Sequence, residues 1–129
     1  MSDTESSIRT FALVDTAINA AIGSRWYIDH IPDNAVYPLV LMRQIANDDL
    51  YSQDGASGHV VTYQCEVYAT TKAALNSTAA AIKARFAGYR GAMGDVDAGR
   101  VWCRITRGGF EPSTQKFWRV IEIELGTNE

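Results

Sequence analysis

The sequence predicts an α+β domain with a mainly antiparallel sheet of four to five strands and two helices packed on one face. Two observations predict this class. Strand patterns follow one another without regular alternation with helices, which is typical of antiparallel sheets. Two segments carry a single apolar stripe at helical spacing, as in helices that lie against a sheet. The 129 residues fit one domain, 1–129, whose residues 1–7 we expect to be flexible.

The first helix is predicted between Ser6 and Gly23. Apolar residues recur there at helical spacing, as in Ile8, Phe11 and Ile18. Serine is a favourable N-cap and glycine a common end signal. The segment therefore predicts one helix with a single buried side.

Three strand candidates follow. Residues 26–28 form a short apolar run, and residues 39–45 are apolar on both faces, which predicts a covered central strand. Residues 59–70 alternate strictly and give the longest strand signal. Between the last two, residues 47–58 are polar and small, which predicts a long connection.

The second helix is predicted after a threonine cap at Thr70 or Thr71. It ends at glycines, and residues 90–100 then predict a flexible loop. The many alanines favour helix and allow close approach to a sheet. Its buried stripe is formed by Leu75, Ala79, Ile82 and Phe86.

The chain closes with two strands joined by a turn. Residues 101–106 alternate, Gly108 and Gly109 are expected to break that strand, and residues 110–114 are expected to turn. Residues 116–125 resume extended structure. The pattern predicts a closing hairpin.

The second strand of this hairpin changes character along its length. Its end is apolar on one face only, whereas Phe117, Trp118 and Val120 place large apolar groups on both faces. Something must therefore cover the second face at its beginning. A neighbouring subunit and a segment of the same chain both remain possible covers.

Composition excludes several classes of function. The net charge of −3 argues against a nucleic-acid binder, which usually carries a basic excess. The acidic and polar N-terminus lacks the order of a signal peptide, which predicts synthesis in the cytoplasm. No segment is apolar enough to span a membrane. Cys65 and Cys103 fall on strand positions typical of buried, reduced thiols.

The sequence shows no group of residues in the pattern of a catalytic site. His30 and His59 lack partners at metal-ligand spacing, and buried cysteines are poor nucleophiles. The acid pairs at 48–49 and at 95 and 97 have the pattern of solvated surface charges. We therefore expect no catalytic residue, no metal site and no cofactor.

The charge distribution is more informative. The segment 29–54 holds five acids and one base, whereas the segment 72–119 holds nine bases and three acids. Unlike patches on one subunit suit head-to-tail contacts, which close into rings. Tryptophans interleaved with arginines near the C-terminus fit a protein interface better than a platform for single-stranded nucleic acid.

The chain resembles the tail-completion family (tail terminator or head–tail joining proteins) of long-tailed bacteriophages and prophages. The resemblance covers residues 8–125 and rests on the order and spacing of several marks. The family usually has tyrosine where this chain has Phe110. The marks are the helix ending at Gly23, Tyr37-Pro38 before an apolar strand, the strand 59–69 with Cys65 at its centre, the Ala-rich helix with Leu75 and Ile82, and Phe110-Glu111-Pro112-x-Thr114 leading to Trp118-Arg119-Val120.

The resemblance implies a structural protein of the virion tail, assembled in the host cytoplasm, with no known catalytic site. Such proteins form a hexameric ring on the tail tube, stop tube polymerisation and present a docking surface for the head–tail connector. DNA would only pass through the lumen, where Asp95 and Asp97 would limit sticking. The alternatives are a connector component, or a small enzyme or ligand-binding domain with a pocket near Trp102 and Trp118.

We expect the contacts with neighbouring subunits, tube or connector to come from the two polar loops and the closing strands. No membrane contact is expected. The candidate interface residues are Asp48, Asp49, Asp54, Arg90, Asp95, Asp97, Arg100, Arg104, Arg107, Trp118 and Arg119.

Overall fold

The computed structural model describes residues 4–51, 57–93 and 96–128. Within these ranges, three helices and six strands form one α+β unit, and the sheet order is β1-β2-β3-β6-β5-β4. β1 pairs parallel with β2, and the other pairings are antiparallel. The predicted fold class is confirmed. In chain order the elements are α1 (Thr4–Leu13), α2 (Thr16–Ile22), β1 (Trp26–Ile28), β2 (Leu39–Tyr51), β3 (Ser57–Ala69), α3 (Lys72–Phe86), β4 (Gly91–Met93), β5 (Val96–Glu111) and β6 (Lys116–Asn128).

The helices cover one face of the sheet and bury its apolar side chains. On β3 this face carries the alternating residues from Val61 to Ala69, and on β6 it carries Ile121, Ile123 and Leu125. The predicted stripe of α3 packs against them. Removal of this apolar surface from water is the main force that holds the helices on the sheet.

An aromatic cluster joins the helical layer to the edge of the sheet. The Phe86 ring at the end of α3 lies 5.3 Å from the Phe11 ring of α1 and 6.2 Å from the Trp26 ring of β1, measured between centroids. Phe86 is fully buried. Its side chain therefore fixes α1, α3 and β1 relative to one another.

The single N-terminal helix predicted from the sequence is two helices. The chain leaves α1 after Leu13, and the Asp15 carboxylate accepts a hydrogen bond of 3.1 Å from the Ile18 amide, which caps α2. Val14 at the break is two-thirds exposed. The capping preference of Asp15 outweighs the apolar period that runs through it.

Both segments predicted to be long loops consist largely of strand. β2 continues to Tyr51 and β3 begins at Ser57, and the two pair as a hairpin through this region. β4 and the start of β5 occupy most of 90–100. Pairing with a strong neighbouring strand overrides the low strand propensity of the polar residues. Asp54 and Asp95 belong to the segments 52–56 and 94–95, which lie outside the described residues.

The closing strand also differs from its prediction. β5 runs without interruption through Gly108 and Gly109 to Glu111, and the turn begins only afterwards. The irregularity lies earlier, as a register shift between Ile105 and Arg107. A bulge at that point bends the strand while the ladder to β6 continues.

Candidate assembly surface

The sheet face opposite the helices carries three of the described candidate residues, Arg104, Arg107 and Trp118. We call it the open face. Its side chains come from the alternate positions of the four long strands, as the register of the ladders shows. They include Leu39, Leu41 and Arg43 on β2, Gln64, Glu66 and Tyr68 on β3, Trp118, Val120, Glu122 and Glu124 on β6, and Trp102, Arg104, Arg107 and Glu111 on β5.

The second face of β6 is covered by the chain itself at Val120, which is only 2% exposed in the isolated subunit. The connection between β1 and β2 lies on this side. Its residues Ile31 and Tyr37 line the same cavity as Val120, and the Lys116 Nζ lies 4.8 Å from the centroid of the Tyr37 ring. A neighbouring subunit is therefore not needed to bury Val120, although Trp118 remains half-buried.

Between this connection and the sheet lies a cavity of about 490 Å³. Acidic and basic side chains of three strands share its wall with aromatic rings, so its charge is mixed. The cavity is lined by Ile31, Tyr37, Gln64, Glu66, Tyr68, Arg107, Glu111, Thr114, Lys116, Trp118 and Val120.

Glu66 organises the polar side chains of the open face. One carboxylate oxygen lies 3.1 Å from a guanidinium nitrogen of Arg43 and accepts a hydrogen bond of 2.9 Å from the Gln64 amide. The other accepts a hydrogen bond from the Tyr68 hydroxyl. The side chain of Glu66 is only 14% exposed, so water replaces these partners poorly.

This environment changes the acidity of Tyr68. Burial of the phenol raises the pKa of Tyr68 above its usual range, and the hydrogen bond to the Glu66 carboxylate raises it further. The hydroxyl therefore stays a proton donor throughout the physiological range. It holds the carboxylate from one side while Arg43 holds it from the other.

Trp118 packs closely against the backbone of β5. A Cβ atom added to Gly109 would lie 2.8 Å from the indole Cζ2 of Trp118, and one added to Gly108 would lie 2.9 Å from the Trp118 carbonyl oxygen. Gly109 therefore allows the ring to lie over the neighbouring strand, and Gly108 allows the Trp118 carbonyl oxygen and the Arg119 side chain to approach β5. This close approach, rather than a chain break, explains the two glycines in the strand.

Substituting Gly109→Ala should displace the indole of Trp118 and destabilise the fold. Overpacking of this kind typically costs about 1–3 kcal/mol. Urea unfolding of the wild type, G109A, W118A and the double variant measures the coupling. We expect Gly109→Ala to cost little in the W118A background, because the clashing ring is gone. An equal cost in both backgrounds would contradict the packing.

The arginines predicted as interface residues lie on different faces. Arg104 on the open face forms a salt bridge of 3.1 Å with Glu122, in which the arginine side chain is 74% exposed. Arg107 lines the cavity beside Trp118. Arg119 points to the helical side, where it donates a hydrogen bond of 2.7 Å to the side-chain oxygen of Asn76 on α3.

The remaining candidates are scattered along the sheet. Arg90 is exposed and follows α3. Asp48 and Asp49 lie on β2, and Asp97 and Arg100 lie on β5, so four residues predicted on loops are strand residues. The structure thus brings together Arg104, Arg107 and Trp118, and no single patch contains all the described candidates.

Glu66 and its partners were missed by the site prediction. The alternation of β3 does separate Gln64, Glu66 and Tyr68 from the apolar row. A polar row on a central strand indicates either side chains that face solvent or side chains that bond to one another. Only the positions of the neighbouring strands distinguish these two arrangements. The segment that covers this face has no periodic pattern.

The two cysteines are free and buried, in agreement with their prediction as core thiols. Burial raises the pKa of Cys65 well above its usual value, and burial raises the pKa of Cys103 to about 11. Because the folded pKa is raised, the stability contributed by the neutral thiols is complete below about pH 8.5. For Cys103 it is lost as the pH rises towards 11.

We expect iodoacetamide to leave both cysteines of the native protein unmodified at pH 8, because the thiolate is the reactive form and is nearly absent. Both should react after denaturation in urea. Mass spectrometry of the alkylated chain measures this. Rapid modification of Cys103 in the folded protein at pH 8, at the rate of a free thiol, would contradict the burial described above.

Within 4–51, 57–93 and 96–128, no group of three or more histidine, cysteine or acidic side chains is arranged to hold a metal ion. In the same part of the chain, no helix is long and apolar enough to cross a membrane.

The fold is similar to that of a chain in the solved structure titled "Virion of native gene transfer agent (GTA) particle". The two chains are 13% identical and superpose with a TM-score of 0.72 over 97% of this chain and 94% of the other. At this identity the likeness establishes the fold alone. No curated protein matches the sequence.

The sequence itself identifies the family. Residues 6–127 match the family described as "Tail completion protein gp17". The match spans nearly the whole chain, including the open face and the helical layer. The protein belongs to this tail-completion family, as the order of its sequence marks predicted.

Proposed function

We propose that the protein is a structural component of a phage or prophage tail that forms a ring on the end of the tail tube. The observation that carries the proposal is the family match over residues 6–127. The similarity of fold to a chain of a gene transfer agent virion agrees with it. The ring is hexameric, stops tube polymerisation and provides the surface to which the head–tail connector binds.

A physical argument connects such a ring with termination. A tube grows when each added layer presents the same surface to the next layer. A ring that binds the tube end through one face and presents a different opposite face removes that surface, so growth stops. The α+β subunit has two unlike faces, a helical layer and an open polar sheet, which suits two different neighbours.

The lumen would let DNA pass without holding it. The net charge of −3 disfavours binding of the phosphate backbone. The virion tail is the proposed location and the host cytoplasm the proposed place of assembly. A connector component is the alternative within the same class, and it would bind the head rather than the tube.

Purified tail tubes of the same phage test the proposal. Added protein should decorate one end of each tube with a ring in negative-stain images. It should also prevent elongation when fresh tube protein is supplied. Tubes without added protein are the control. Undecorated ends together with unchanged elongation would contradict termination, and binding only to the head would favour the connector alternative.

A further inference from the structure

The two outer edges of the sheet are only partly paired. β1 pairs with β2 at residues 40–42, and on the other side β4 pairs with residues 96–98 of β5. The Tyr89 carbonyl and Gly88 amide bond to Val101. Within the described ranges, no strand pairs with the outer edge of β2 over 43–51 or of β5 over 104–111. Such edges are templates for another strand.

These two stretches, which we call the acidic edge (residues 43–51 of β2) and the basic edge (residues 104–111 of β5), carry exposed apolar side chains. Ile45 is 48% exposed, Ile105 39% and Phe110 46%. Apolar side chains along an unpaired strand edge favour pairing with another strand. An edge-to-edge contact that buries these three side chains would be stabilised by removing their apolar surface from water.

The net charges of the two edges are opposite. On the acidic edge Asp48 and Asp49 outnumber Arg43, and on the basic edge Arg104 and Arg107 outnumber Glu111. Like edges would bring like charges together, which disfavours contact between two copies through the same edge. Unlike edges attract, so the pattern selects a head-to-tail contact.

The direction of the strands is compatible with such a contact. Three antiparallel pairings separate β2 from β5, so these two strands run in opposite directions. A second copy rotated about an axis along the strands keeps its direction. Its β2 would therefore lie antiparallel to the β5 of the first copy, and the alternation of the sheet would continue.

The two edges are staggered along the sheet. Through the ladders, Asn47 at the centre of the acidic edge lies level with Val101, about six residues from Arg107 near the centre of the basic edge. This offset is roughly 20 Å, and four strands span roughly 19 Å. Pairing the centres of the two edges would therefore tilt the strands by roughly 45° from the axis of the ring. This angle is at the upper end of the strand tilts found in closed barrels.

We propose that residues 104–111 of one copy pair antiparallel with residues 43–51 of the next copy, so that the sheet continues from subunit to subunit around the ring. The inference rests on the proposed ring and names the surface that builds it. β4 of one copy would then lie beyond one end of the paired segments, and β1 of the next copy would lie beyond the other end. These two strands would limit how far the paired edges can slide along each other. A bulge and charges on each edge also deter pairing with unrelated strands.

Disulfide cross-linking tests the junction. Ile45→Cys is combined in turn with a cysteine at each of positions 107–111, and the full-length protein is oxidised with diamide during assembly on tail tubes. Head-to-tail pairing predicts a ladder of covalent multimers for at least one combination, because each subunit then bonds two neighbours. Each variant with only one added cysteine should give dimers at most, because the native Cys65 and Cys103 are buried.

The matched control combines Phe110→Cys with Val14→Cys, since Val14 is 67% exposed and belongs to neither edge. It should give no ladder. The double variant Arg104→Asp/Arg107→Asp should lose the ladder, and adding Asp48→Arg/Asp49→Arg should restore it. Circular dichroism shows whether each variant folds.

The outcomes separate the junction from the ring. Rings on tube ends without a ladder above the control would overturn the edge pairing and leave the proposed function in place. Cross-links to the tube protein instead of to itself would also overturn it, because the edge would then bind a different partner. Absence of rings in the wild type would overturn both.

Discussion

The variant Phe86→Ala is expected to lose about 3–5 kcal/mol of folding free energy, the usual cost of truncating a buried aromatic residue. Phe86 is fully buried and joins α3 to Phe11 and Trp26. Small domains have a total stability of roughly 5–15 kcal/mol, so this variant should be close to unfolding. Urea unfolding followed by circular dichroism measures the loss.

Phe110→Ala is the matched control, because it removes the same side chain from a site that is 46% exposed. The centroid of its ring lies 4.7 Å from that of the Phe117 ring. Loss of this contact should lower the free energy of unfolding by only about 0.5–1.5 kcal/mol. Equal losses for the two variants would contradict the position of Phe86 in the core. A selective effect of Phe110→Ala on ring assembly would instead agree with an exposed edge.

The variant Glu66→Ala is expected to cost about 1–3 kcal/mol, because it leaves the Tyr68 hydroxyl and the Gln64 amide without their acceptor. It also leaves the Arg43 guanidinium without its salt bridge. The pKa of Tyr68 should fall in this variant, since the hydrogen bond to Glu66 raises it. Urea unfolding and an ultraviolet titration of the tyrosines measure the two effects.

Glu122→Ala provides the comparison for that prediction. It breaks a salt bridge of the same length, but to an arginine side chain that is 74% exposed, so it should cost no more than about 1 kcal/mol. Equal destabilisation by Glu122→Ala and Glu66→Ala would contradict the larger contribution to stability that we assign to the buried hydrogen bonds of Glu66.

The sequence predicts those parts of the fold that depend on strong local periodicity. The alternation of β3 and the stripe of α3 with Leu75 and Phe86 are both confirmed. The break at Asp15 was missed, because the apolar period continues through a local cap. The strand character of 47–51 was missed as well, because it depends on pairing with β3 rather than on its own polar residues.

The candidate site shows the same division. The aromatic and basic pattern identified Arg107 and Trp118, which line one cavity. It did not identify Glu66, whose partners are Arg43 on the neighbouring strand β2 and Gln64 and Tyr68 on its own strand. Nor did it show that the connection carrying Ile31 and Tyr37 covers the open face, since an irregular segment gives no periodic signal of where it packs.

The most direct measurement of the proposed function is the length of tails made in cells that lack this chain but express every other tail and head gene. Electron microscopy of such lysates should show tails of uncontrolled, excessive length that are not joined to heads. Expression of the wild-type chain in the same cells should restore uniform tails on filled heads. Tails of normal length joined to heads in the absence of the chain would contradict its proposed role in tail termination.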